Sequence, residues 1–187
     1  MRAEGRNSMS YSALIPLPLS IMRWLTYFIL AYLMLGLQIG LSGHVAIGGA
    51  RPNLVLLAVI FIALNAPRDA ALLGSFVLGC LQDLTTQQPM GIFALSYGLV
   101  AMFTISTQQI VYRGHPLTHF SLALVGSFLT DVVILLHGLI RGPKISPMIL
   151  FYAAIYTAVL SPIVLGLLQQ MKRAFAFQSA PRRTIRS

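Results

Sequence analysis

The sequence predicts an all-α polytopic membrane protein, a compact bundle of about six transmembrane helices, on three observations. Of its 187 residues 57% are hydrophobic and only 9% are charged, whereas soluble domains carry roughly 25% charged residues. The apolar residues fall into six runs separated by charges, Pro and Gly, as expected of helices that cross a hydrocarbon layer. Lys and Arg are unevenly shared between alternate connections of those runs, which is how a membrane protein sets its orientation.

The first run is 20–41, with Arg23, Trp24 and Tyr27 as interfacial anchors. Ahead of it, Arg2, Arg6 and the apolar stretch 14–19 have the outline of a signal peptide. Pro16 and Pro18 interrupt that stretch, and 24–41 is long enough to anchor permanently, so it reads as a first spanning helix. Met9 is an alternative start. The second run, 52–66, has Pro52 in its first turn, where proline is tolerated. The third is 69–84. Both fall below the roughly 20 residues of a straight crossing. They are therefore expected to form a tight hairpin turned by Pro67, Arg68 and Asp69 and packed among the others. Either the bilayer thins there, or the stretch 44–50 dips in as irregular backbone, which is allowed only where protein or water covers it.

The fourth run, 91–111, ends in Thr104, Ser106, Thr107, Gln108 and Gln109, which read as a headgroup-zone segment or, in part, as a face turned to the bundle or a partner. The fifth is 118–140. The sixth is 147–171, with Pro162 expected to kink it. The basic tail 172–187 contains Phe175 and Phe177 and reads as a flank that enforces topology. Short connections leave no soluble unit, so 1–187 is expected to be a single membrane domain.

Six spans put Arg2, Arg6, Arg23, Arg68, Arg113, Lys172, Arg173, Arg182, Arg183 and Arg186 on one side. The other side has Arg51, Arg141 and Lys144. Ten against three assigns both termini to the cytoplasm. The net charge of +9 is thus spread over helix ends, which argues against nucleic acid as a partner.

Small residues four apart let membrane helices approach closely. The pairs Gly36/Gly40, Ser75/Gly79, Ala94/Gly98 and Ala154/Ala158 have that spacing and together argue for a compact bundle. The one cysteine, Cys80, reads as a small hydrophobe. Two acidic residues lie in or near the hydrocarbon, Asp83 and Asp131, where a charge costs roughly 3 kcal/mol. Asp83 is expected to pair with Arg51 or Arg141 at the outer face. Asp131, beside Thr130 and with His137 further out, suits a hydrogen-bond hub, a proton relay or a ligand contact. Motifs of hydrolases, metalloproteases and nucleotide-binding loops are not present. His115 and His119 flank Pro116 and fall short of the four ligands of a structural zinc. No catalytic residue, cofactor or metal is expected.

The stretch Gly79-Cys80-Leu81-Gln82-Asp83-Leu84, then Pro89-Met90-Gly91-Ile92, preceded by Arg51-Pro52-Asn53, resembles the rod shape-determining protein MreD family. That family's pattern is R-P-(D/N), G-L-L-x-D-L and P-L-G; Cys80, Gln82 and Met90 depart from it. The resemblance makes Arg51, Pro52, Gly79, Asp83, Pro89 and Gly91 the structural or partner motif. It implies a bacterial inner-membrane protein without catalytic activity. The implied partner is an MreC-like protein and, through it, MreB-like, RodA-like and penicillin-binding proteins, in a complex that supports peptidoglycan synthesis and rod shape. The family is also similar to the substrate-binding subunits of energy-coupling-factor transporters. The alternative function is accordingly binding of a vitamin-like molecule, with Asp131, Thr130 and His137 lining the pocket.

Overall fold

The computed structural model describes residues 17–41, 43, 44, 46, 49–86, 89–108, 116–142 and 146–175. Among them the chain forms six α-helices and no strand: α1 (Leu17–Leu41), α2 (Leu54–Asn65), α3 (Arg68–Thr85), α4 (Ile92–Thr107), α5 (Pro116–Arg141) and α6 (Pro147–Phe175). Each falls on one of the six apolar runs. His115 and the tail beyond Phe175 lie outside the described residues.

Helix α2 is the axis of the molecule. Every residue from Leu54 to Leu64 is buried. A helix that is apolar all round is stable only when covered all round, and α2 touches each of the other five helices. Around it α1 meets α3, α3 meets α4, α4 meets α5 and α5 meets α6. Its length, about 18 Å at 1.5 Å per residue, is well short of a bilayer core. The covering helices resolve that shortfall, because no part of α2 needs to face lipid. They expose large apolar side chains such as Tyr32, Leu73, Leu99, Phe128 and Phe151. Helices α5 and α6 contain segments long and apolar enough to cross a membrane, Leu117–Ile140 and Pro147–Met171.

Only some of the small-residue steps are contacts. Gly36 and Gly40 face open space on an exposed side of α1, so this step does not pack the bundle as expected. Gly79 lies against the backbone of Ala94. Ala154 and Ala158 are buried. Gly126 brings α5 onto both neighbours: a Cβ there would lie 3.2 Å from Val100 Cγ1 and 3.4 Å from Ile60 Cδ1.

The hairpin between α2 and α3 is tighter than expected. Ala66 and Pro67 alone make the turn, and Arg68 and Asp69 already belong to α3. Pro162 sits inside α6, which continues through it. A proline removes the amide that would bond to the carbonyl four residues back. The Ser161 hydroxyl donates to that carbonyl, of Ala158, at 2.7 Å.

Candidate functional site

Two polar constellations hold one end of the bundle. The first lies at the α3–α4 corner. Asp83, one turn from the end of α3, is 3% exposed. Its carboxylate accepts three backbone N–H bonds from the start of α4: Gly91 to Oδ2 at 2.8 Å, Phe93 to Oδ1 at 3.0 Å and Ala94 to Oδ2 at 3.2 Å. The first amides of a helix have no partner within it and carry its positive dipole end. A buried carboxylate is therefore both paired and neutralised there.

The expected ion pair between Asp83 and Arg51 is corrected accordingly: the positive end of α4 takes the place of a cation. Arg51 is exposed, and the Arg141 side chain lies outside the described residues. Gly91 holds φ at +102°, a conformation glycine adopts without a Cβ penalty. Pro89 precedes it, with Met90 exposed at the tip. Gly79, one turn before Asp83, brings α3 close enough for this contact. A Cβ at 79 would stand 2.3 Å from Ala94 Cα and 2.5 Å from the Phe93 carbonyl oxygen.

The second constellation surrounds the buried N-terminus of α2. Asn53 caps the helix, its side-chain oxygen accepting from Leu56 N at 3.0 Å. The same oxygen accepts the Tyr97 hydroxyl at 3.0 Å. The Asn53 N–H donates to Thr157 Oγ1 at 2.9 Å. Gln38 of α1 clamps the same backbone, donating to the Pro52 carbonyl at 3.0 Å and accepting from Leu54 N at 2.7 Å. Four helices thus meet at one cap. At the opposite end of α2 the Tyr27 hydroxyl donates to the Asn65 carbonyl at 3.2 Å, and the Gln108 amide donates to the Ala63 carbonyl. Thr104 is buried as well. Part of the polar end of α4 therefore faces the bundle.

Sequence reasoning missed Gln38, Asn53, Tyr97 and Thr157 as site residues. Asn53 carried a readable signal, since an Asn directly before an apolar run is a preferred N-cap. Gln38 and Thr157 were readable only as isolated polar residues in apolar runs.

The polar residues of α5 are not gathered. Thr130 is buried, and its hydroxyl donates to the Gly126 carbonyl of its own helix at 3.0 Å. Seven residues on, His137 shares that face. Asp131 is turned about 100° from Thr130. Asp131 Oδ2 and His137 Nε2 each lack a hydrogen-bond partner. Further in, His119 stands 3.1 Å from Gln169 Nε2, tying α5 to α6. Among the described residues no three His, Cys, Asp or Glu side chains form a metal site.

No solved structure matches this chain, so the likeness to energy-coupling-factor subunits gains no structural support. The family described as rod shape-determining protein MreD matches residues 19–176. That stretch covers all six helices except the first two residues of α1, and it includes both constellations. The chain therefore belongs to the MreD family of rod shape-determining membrane proteins.

Proposed function

We propose that this protein is a non-catalytic scaffold of the cell-elongation complex, crossing the bacterial inner membrane six times with both termini in the cytoplasm. The observation that carries the reading is where its polar groups go. Asp83, Asn53, Gln38, Tyr97 and Thr157 all bond to backbone or to one another. They fix helices rather than converge on a substrate. The family supports a role in cell shape, and the Lys and Arg distribution supports the orientation.

In this reading an MreC-like protein is the direct partner. MreB-like, RodA-like and penicillin-binding proteins follow through it, and lipid covers the remaining apolar surface. Motif residues Arg51, Pro52, Gly79, Asp83, Pro89 and Gly91 keep the outer end rigid for that assembly. The test is affinity recovery from native membranes through a tag on the C-terminus. Co-recovery of MreC-like or RodA-like proteins is the expected result. Recovery of transporter ATPases together with a bound vitamin-like molecule would overturn it.

A further inference from the structure

We propose that two copies of this chain pair across the exposed face of α6, joined by reciprocal ion pairs between Arg51 of one copy and Asp131 of the other. The proposal rests on the scaffold reading and names one component of the scaffold's own assembly.

Asp131 has no hydrogen bond or ion pair within the chain; its Oδ2 is buried in the chain, and its other carboxylate oxygen is not, which leaves that oxygen for a group outside. It is half-buried on a helix whose neighbouring Phe128, Val132 and Leu136 are exposed apolar groups. It stands nine residues, about 14 Å, inside the outer end of the apolar segment Leu117–Ile140. Carboxylates at such depth are normally paired. Arg51 is the complementary case. It is exposed and has no ion pair within the chain. Its backbone is rigidly held, since Ala50 and Pro52 are buried on either side, and Gln38 and Thr157 bind the residues that follow.

The two groups lie at similar depth. His119 opposite Gln169 sets the register of α5 against α6. Twelve residues along α5 from His119 is Asp131, and twelve back along α6 from Gln169 is Thr157. Thr157 is the residue that accepts from Asn53, two residues after Arg51. They also lie on opposite flanks of α6. Asp131 is on α5, the helix packed against α6. The segment carrying Arg51 runs along the other side, with Gly49 near Ile149 and Asn53 bonded to Thr157. Between the flanks α6 exposes Tyr152, Ile155, Val159 and Ile163.

Copies of one chain insert in the same orientation, so a two-fold axis along the membrane normal relates them. Such an axis exchanges the flanks of α6, bringing the Arg51 flank of each copy against the Asp131 flank of the other. The interface is isologous, as closed dimers require, and each ion is paired.

The test uses full-length protein in lipid vesicles, with Cys80→Ser and Ile155→Cys, and oxidative cross-linking of the α6 face. A cross-linked dimer is expected. Its yield should fall roughly three- to fifteenfold in Arg51→Gln or in Asp131→Asn. It should fall further in Arg51→Glu or Asp131→Arg, and return when the two reversals are combined. Absence of the dimer, single variants that cross-link like the parent, or a double reversal that fails to restore it would each overturn the proposal. A monomer that still recovers MreC-like or RodA-like proteins sinks the pairing alone. Failure of the parent protein to recover any of them sinks the scaffold reading.

Discussion

A methyl group added at residue 79 and one added at residue 36 are expected to act very differently, although both glycines belong to four-residue small steps. Gly79→Ala places Cβ 2.3 Å from a backbone atom of α4. Backbone cannot swing aside as a side chain can, so the loss is expected at the upper end of the overpacking range, about 3 kcal/mol. Gly36→Ala meets nothing within 4 Å and is expected to be neutral or to stabilise by up to about 1 kcal/mol, since alanine is the better helix former. Thermal unfolding in detergent distinguishes the two; equal melting temperatures would refute the α3–α4 contact. Asp83 extends the argument. Asp83→Ala leaves three helix-end amides without their acceptor and is expected to lower stability by about 2 kcal/mol. Asp83→Asn keeps one acceptor oxygen and should lose roughly half as much. The Gly, Asp and Pro-x-Gly spacing was legible in the sequence, but the partner of Asp83 was not. Its donors lie eight to eleven residues downstream, across a turn, and one-dimensional spacing does not say which way that turn folds back.

At the scale of elements, α2 depends on groups that belong to other helices. Its terminal amides and carbonyls end inside the protein, and an unpaired one out of reach of water costs several kcal/mol. Asn53→Ala is therefore expected to destabilise the protein by about 2 kcal/mol, the high end for a lost N-cap, because it also strips Tyr97 of its acceptor. Tyr97→Phe alone should cost about 1 kcal/mol. The double variant should be less destabilised than the sum of the two, since both remove the same bond. Additive losses in that cycle would show that Tyr97 and Asn53 do not act together. The short lengths of the second and third runs pointed to this hairpin being packed among the others. The position of α2 at the centre is a property of the other helices' arrangement.

For the whole molecule, the expected topology is the directly measurable claim. A reporter active only outside the cytoplasm should be silent when fused after residue 187 and active when inserted at Lys144, in the connection between α5 and α6. Activity at both positions, or silence at both, would mean that α6 does not cross between them, and the reverse pattern would mean an inverted bundle. Salt is expected to have little effect on the intact fold, because the buried carboxylate of Asp83 bonds to amides inside the protein, where screening is weak. A melting temperature that fell steeply with added salt would contradict this.

Composition and the spacing of apolar runs by themselves determined the helical class, the positions of the six helices, and the motif that led to the family. These are local or additive properties: a run of apolar residues is helical in a hydrocarbon setting whatever surrounds it, because backbone groups there have no other partner. Tertiary structure alone decided that Asp83 caps α4 rather than pairing with arginine, that α2 is sheathed on every side, and that Gly36 and Gly40 face outward. Each of those depends on how a helix is rotated about its own axis and which neighbour it meets. Rotation is set by the simultaneous packing of five helices around α2, a constraint that no single segment contains.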